Sequence, residues 1–217
     1  MRRMERVNCM WTSNLAYAIG VIATDGNLSP DGRHLNITSK DLDLIQTLKV
    51  VLGLKNKVGK KSRGGSREKK YFVLQFGDIA FYEFLLSIGL TPAKSKTLKV
   101  ILVPQMFFAD FFRGCIDGDG SIDSFKHPES KLFQIRLRLV SASPKFLDFI
   151  LETARIVFNI TGGHISYSRR KQVGVLSFGK HDALKILSLM YHSRGLPALK
   201  RKRRIAEGFI RYGQVVK

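Results

Sequence analysis

Apolar and polar positions along the chain fall into two successive series with the same order. Residues 15–25 and 109–119 are apolar, punctuated by glycine, and read as helices. Each is followed by a segment in which apolar and polar residues alternate. In 34–38, Leu35 and Ile37 alternate with His34, Asn36 and Thr38. In 133–139, Phe133, Ile135, Leu137 and Leu139 alternate with Gln134, Arg136 and Arg138. Period two predicts strands with one face in a core and one polar face. The polar faces read here hold amides, a hydroxyl and cations but no acids.

The correspondence continues. "HLNITSKDLDLIQTLKVVLGL" (34–54) and "FQIRLRLVSASPKFLDFILETARIVF" (133–158) each run from a strand into an amphipathic helix, with Ser39 and Ser141 expected as N-caps. "YFVLQFGD" (71–78) matches "VGVLSFGK" (173–180), a strand ending in Phe-Gly. The helices "IAFYEFLLSIGL" and "HDALKILSLMYHSRGL" follow, then Pro-Ala and a lysine-rich turn, "TPAKSKTLK" and "LPALKRKRRI". The two serines and the two Phe-Gly pairs are each 102 residues apart. The aspartates ending the first helices, Asp25 and Asp119, are 94 apart. The eight extra residues of the second copy fall in "SFKHPESK", a hairpin-loop composition. Each copy reads helix, two strands, helix, two strands, helix, so a duplicated α+β domain is expected, with repeats over 8–100 and 101–212.

The 217 residues, 44% hydrophobic, suffice for one substantial core or two small ones. Net charge is +20. Residues 1–100 hold 17 Lys and Arg against 8 Asp and Glu, and 101–217 hold 20 against 9, so both halves are basic, at +9 and +11. That spread excludes a basic tail on a neutral body and points to a polyanion touching both halves, nucleic acid first. A merely soluble, ribosomal-type basic protein shares the same charge. No apolar run reaches membrane-spanning length, and no membrane partner is expected. Cys9 and Cys115 make neither a disulfide framework nor a zinc site, and Cys115 is expected in the core. The start of the chain lacks a signal-peptide core, so an intracellular protein is expected, in prokaryotic cytoplasm or an organelle.

The chemistry concentrates in "AIGVIATDGN" (18–27) and "FFRGCIDGDG" (111–120). Gly20 and Gly114 match, and small residues there let two helices approach closely. Gly26 and Gly120 then act as C-cap signals, bringing Asp25 and Asp119 side by side at two helix ends. Carboxylates are unfavourable at helix C-termini and repel one another unless a cation lies between them. Repeated at equivalent positions, this arrangement suggests a divalent-metal site. Asp117 has no partner in the first copy, where Ala23 stands, and is expected to be structural or solvated. The five histidines lack paired-ligand spacing. "GKKSRGGSREKK" (59–70) lacks phosphate-loop spacing and reads as a basic hairpin turn.

These two motifs resemble the signature motifs of the LAGLIDADG homing endonucleases in their single-chain, two-repeat form, and the likeness spans nearly the whole chain. The resemblance implies an αββαββα unit in each half, the motif helices packed at a central interface, and two saddle-shaped antiparallel sheets straddling double-stranded DNA in the major groove. It implies a site-specific, metal-dependent double-strand endonuclease with Asp25 and Asp119 as metal-binding catalytic acids. Mg²⁺ is the expected cofactor, with Mn²⁺ substituting and Ca²⁺ binding without supporting cleavage. Ala23 and Thr24 depart from the family pattern, whereas both metal acids are intact. Basic residues are implied around this centre, and Lys94 and Lys202 match by position, with Lys96 and Lys200 as neighbouring alternatives; simple phosphate contact is their other role. The DNA-contacting set is expected to comprise Asn27, Ser29, Arg33, His34, Asn36, Thr38, Lys60, Arg63 and Gln75 in the first repeat. In the second it comprises Gln134, Arg136, Arg138, Ser166, Ser168, Arg170 and Lys200. The alternatives are an intron RNA maturase and a catalytically silent DNA-binding protein on the same scaffold. Intein splicing is not expected, because the chain lacks the terminal residues that chemistry uses. A monomer is expected, since both motifs lie in one chain.

Overall fold

A computed structural model describes residues 7–62, 68–126, 129, 133–168 and 172–215. The first repeat runs α1 (Ser13–Asp25), β1 (Gly26–Leu28), β2 (His34–Ser39), α2 (Leu42–Val51), β3 (Gly59–Lys61), β4 (Tyr71–Gly77), α3 (Ile79–Ser87). The second runs α4 (Phe108–Asp119), β5 (Gly120–Lys126), β6 (Phe133–Ser141), α5 (Pro144–Phe158), β7 (His164–Ser168), β8 (Val173–Phe178), α6 (Lys180–Met190). A further helix, α7 (Lys200–Val215), ends the described chain; the matching place in the first repeat holds only a 3₁₀ turn, Lys94–Lys96. The expected αββαββα order is present twice.

Each repeat makes one four-stranded antiparallel sheet, ordered β1-β2-β4-β3 and β5-β6-β8-β7. Leu35 and Ile37 of β2 face the core with Leu74 and Phe76 of β4, which lie opposite Ile37 and Leu35. In the second sheet Ile135, Leu137 and Leu139 do the same with Leu176 and Phe178. Alternate residues therefore make one polar surface per sheet. Asn36 pairs with Gln75, and Arg138 lies between Ser121 and Ser177. "SFK" of the expected loop is instead the end of β5, which is seven residues long where β1 has three.

The molecule is organised around α1 and α4, which pack together as the sequence predicts. Thr12 caps α1, its hydroxyl accepting from the Leu15 N–H at 3.1 Å. A methyl group on Gly20 would lie 2.1 Å from the Phe111 carbonyl oxygen, and one on Gly114 would lie 2.1 Å from that of Tyr17. Two helix backbones thus touch where side chains ordinarily stand. Gly26 and Gly120 are the C-caps of α1 and α4, as expected, in extended conformation with φ values of −84° and −102°. They are glycine for space, since a Cβ would lie 2.6 Å from the Ile22 carbonyl oxygen or 2.7 Å from the Ile116 Cα. Cys115 is buried in the shared core.

Two further expectations are corrected. The caps of α2 and α5 are Asp41 and Ser143, not Ser39 and Ser141. Ser39 and Ser141 stand two residues earlier, each accepting the N–H of the true cap position at 3.2 and 3.1 Å. They shape the strand-to-helix turn. Among the described residues, no helix is long and apolar enough to cross a membrane.

Candidate functional site

Because α1 and α4 cross at glycine, their C-terminal ends bring Asp25 and Asp119 to one place. Both carboxylates line a polar cavity of about 560 Å³ with Thr24, Asn27, Asn36, Thr38, Lys61, Ser62, Lys94 and Ser95. The approach is close enough that a Cβ on Gly118 would lie 2.0 Å from Thr24 Oγ1 and 3.6 Å from Asp25 Oδ2. Thr24, the departure from the family pattern, therefore fills the space that Gly118 leaves.

The two lysines chosen by motif position occupy matching places at the helix ends. Lys94 is 6% exposed, and its Nζ donates to the Thr24 carbonyl at the end of α1, at 3.4 Å. Burial lowers its pKa to about 8, opposed by the Asp119 and then the Asp25 carboxylate. Lys202 is 3% exposed and donates to the carbonyls of Ile116, Asp117 and Gly120 at 2.5, 3.0 and 2.7 Å, at the end of α4. Its pKa also falls to about 8 through burial, with the Asp117 and Asp25 charges among the opposing influences. Both amines sit where a helix dipole favours a cation. All three protons of Lys202 are engaged, whereas Lys94 makes one long hydrogen bond and lines the cavity. Lys96 and Lys200 are exposed, and Lys200 is turned toward Asp43, Nζ to Oδ1 3.1 Å.

Contacts across the repeats hold these turns. Ser143, the cap of α5, accepts from the Leu98 N–H at 3.2 Å and donates to the Ser95 carbonyl at 3.2 Å, fixing the Lys94 turn of the other repeat. Arg201 pairs with Asp41 at 3.0 Å, fixing the Lys202 turn on α2 of the first repeat. Each basic turn is thus clamped by the repeat it does not belong to.

Asp117 is structural, and it is buried rather than solvated. It is 1% exposed; its Oδ2 accepts from the Tyr17 hydroxyl at 2.9 Å and the Leu199 N–H at 2.6 Å, tying α1 and the start of α7 to α4. Burial raises its pKa to about 6, against the lowering effect of the Leu199 N–H, Lys202, Tyr17 and Arg113. Arg113, fully buried, pairs with Asp110 at 2.7 Å and donates to the Met190 and Pro197 carbonyls. The equivalent positions in α1 are Ala16, Ile19 and Ala23, so the first repeat has no counterpart of this network. Asp117→Ala is expected to cost about 2–4 kcal/mol, because it strands a buried hydroxyl, an N–H and the Lys202 charge. Asp117→Asn keeps an acceptor for Tyr17 and Leu199 but not the charge near Lys202, and is expected to cost less than Asp117→Ala. Denaturant unfolding of both variants checks this.

The expected DNA-contacting residues divide by sheet face. Asn27, Asn36, Thr38 and Gln75 share the polar face of the first sheet, with His34 at its edge. The His34 Nδ1 is 2.5 Å from Asp31 Oδ2. Ser29 lies in the β1–β2 turn, its carbonyl accepting from the Tyr82 hydroxyl at 2.6 Å, and Arg33 lies beside Gly77. Gln134, Arg136, Arg138, Ser166 and Ser168 share the polar face of the second sheet. Lys60 is a correction: it pairs with Phe72 on the opposite face, its Nζ 5.5 Å from that ring. Lys61, opposite Tyr71, is the residue that turns to the cavity. Arg63 and Arg170 lie outside the described residues. Sequence reasoning also missed Thr24, Ser62 and Ser95 at the cavity.

The donor set consists of hard oxygens. Among the described residues no group of three or more His, Cys, Asp or Glu side chains gathers to hold a metal. Two carboxylates beside a polar cavity fit a cation that takes its remaining ligands from water and phosphate, which is the habit of Mg²⁺.

This is the fold of the single-chain, two-repeat LAGLIDADG homing endonucleases. The structure of I-DmoI in complex with DNA and Mn covers 84% of this chain and 98% of its own, with a TM-score of 0.56 at 19% identity. I-GzeII in complex with its DNA target covers 97% and 91%, with a TM-score of 0.59 at 10% identity. I-SmaMI bound to uncleaved DNA with calcium ions covers 95% and 92%, with a TM-score of 0.58 at 11% identity. At these identities the likeness is one of fold. No protein-family profile matches the sequence, and neither does any curated protein.

Proposed function

We propose that the protein is a site-specific endonuclease that cuts both strands of double-stranded DNA with a divalent metal ion. The observation that carries this reading is the meeting of Asp25 and Asp119, one from each repeat, at a polar cavity beside the polar face of the first sheet. The DNA complexes of proteins with the same fold, in the presence of Mn or calcium ions, support it.

Asp25 and Asp119 hold the metal, Mg²⁺ first and Mn²⁺ in its place. The chemistry such a cation supplies is activation of a water and neutralisation of charge developing on the phosphoryl oxygens. Lys94 sits beside both carboxylates, where a protonated amine would oppose the charge of the scissile phosphate. Lys202 holds the end of α4, and with it Asp119, in position. The polar sheet faces supply groove contacts: Arg and amide side chains match guanine and adenine edges. The chain carries both halves of the centre and acts as a monomer.

Incubation with a randomised duplex library in Mg²⁺, with selection for cut molecules, tests this reading. Recovery of one long asymmetric site cut on both strands is expected. Binding of DNA without cutting in any divalent metal would identify a silent binding protein instead, and preference for intron RNA without DNA cleavage a maturase. Binding is also expected to weaken steeply with salt, because the logarithm of the association constant falls by about 0.9 per phosphate neutralised for each unit of log salt concentration. A shallow dependence, fewer than about four phosphates, would contradict a two-sheet interface.

A further inference from the structure

Among the described strand residues, one acid stands on the polar faces of the two sheets: Asp123 of β5. A carboxylate facing a polyanion opposes binding, so its presence there calls for a compensating role. The register places Ser121 opposite Arg138 and Asp123 opposite Arg136, so Asp123 reaches Arg138 on the diagonal. Arg138 Nε donates to Asp123 Oδ2 at 2.9 Å, and Nη2 donates to the same oxygen. The Ser121 hydroxyl, two residues back on β5, donates to that oxygen at 3.0 Å and helps to fix the carboxylate. Both charged side chains are more than one-third exposed, at 39% and 37%. Exposed pairs contribute little to stability, so a stabilising role does not account for the arrangement.

The guanidinium carries five N–H groups in a rigid fork. Asp123 occupies the Nε edge and one Nη2 proton. What remains is the end of the fork, Nη1 and the outer Nη2 proton: two parallel donors of the kind that bind guanine O6 and N7 together. Arg136, by contrast, is held by stacking over Phe125 at 5.2 Å, with Asp123 engaged elsewhere. The two arginines of β6 therefore present themselves to a groove by different means.

We infer that Asp123 is a positioning residue for sequence recognition, locking Arg138 so that its free edge reads a guanine in the target. The inference rests on the DNA-binding reading above. An Arg138 without this partner is free to swing onto phosphate, which carries no sequence information. Lysine cannot replace it, because a point charge has no fork.

The test uses the full chain in Ca²⁺, and measures binding to the selected target and to every single-base-pair variant of it. The proteins are wild type, Asp123→Asn, Arg138→Ala, Arg136→Ala and the Asp123→Asn/Arg138→Ala double variant. Asp123→Asn is expected to bind unrelated DNA as tightly as wild type or tighter, while losing on the order of tenfold or more of its preference at one base pair. The double variant is expected to match Arg138→Ala at that base pair, since Asp123 acts through Arg138. Arg136→Ala is expected to relax a different position. An Asp123→Asn variant that keeps full preference at every position, or loses it evenly at all of them, would overturn the inference alone. A wild-type protein with no base preference anywhere would overturn the DNA-recognition reading together with it. Unfolding midpoints within a few degrees of wild type are expected for every variant, because the residues changed are surface groups; a collapse of the fold in Asp123→Asn would show Asp123 to be structural and would also overturn the inference.

Discussion

Gly20→Val is expected to yield a protein that does not fold, and Gly20→Ala one destabilised by about 3 kcal/mol or more. The first added carbon at this position lies 2.1 Å from the Phe111 carbonyl oxygen, 2.8 Å from the Cys115 nitrogen and 3.0 Å from the Gly114 Cα. All three are backbone atoms of the facing helix, which cannot rotate away as a side chain does. Relief requires α1 and α4 to move apart along their whole contact. That movement pulls the Tyr17 hydroxyl from Asp117 and opens the core shared by the repeats. Gly114→Ala meets the Tyr17 carbonyl at the same 2.1 Å and is expected to behave alike. Gly208 in α7 is the control, because nothing lies within 4 Å of a carbon added there. Gly208→Ala is expected to be neutral or to stabilise by up to about 1 kcal/mol through helix propensity. Denaturant midpoints for the three alanine variants decide the matter. Equal stability of Gly20→Ala and wild type would refute the helix-crossing geometry.

The second large effect falls on activity. Asp25→Asn and Asp119→Asn are each expected to reduce double-strand cleavage on the order of 10³-fold, the equivalent of several kcal/mol of transition-state stabilisation. The double variant is expected to be little worse than either alone. Two ligands of one cation act as a unit, so the first loss removes most of what the second shares. DNA affinity is expected to hold or rise in all three, since each change removes a negative charge from the surface facing phosphate. Cleavage rates at saturating Mg²⁺, with binding measured separately, check both halves. Additive losses would mean two independent sites, and loss of binding along with cleavage would mean that the aspartates support the fold.

Much of this was legible in sequence because the pattern repeats. Two glycine-bearing helices, the alternation in 34–38 and 133–139, and the paired aspartates each occur twice, so one copy checks the other. What escaped depends on contacts that no local pattern carries. Ser39 and Ser141 have good capping chemistry, but the turn runs two residues further and hands the cap to Asp41 and Ser143. Gly26 and Gly120 cap the two helices as their positions imply, but their extended backbone and the crowding by Ile22 and Ile116 one turn back are not visible in the sequence. Lys60 and Lys61 are equivalent in composition, and the register against β4 alone decides which of them faces the cavity. For Asp117 the sequence left a structural and a solvated role open, because Tyr17, Leu199 and Lys202, which decide for the first, reach it from distant parts of the chain. The polar faces looked free of acids until β5 was seen beside β6, bringing Asp123 to Arg138.

The central claim is that two repeats contribute one acid each to a single metal-dependent, DNA-cutting centre. Strand-resolved cleavage of the selected target, with each strand labelled separately, tests it most directly. In Mg²⁺ the wild-type protein is expected to cut both strands, and in Ca²⁺ to bind with little cutting. Asp25→Asn in Mg²⁺ is expected to leave at most slow nicking of one strand. Cleavage of both strands by Asp25→Asn at the wild-type rate would contradict the account.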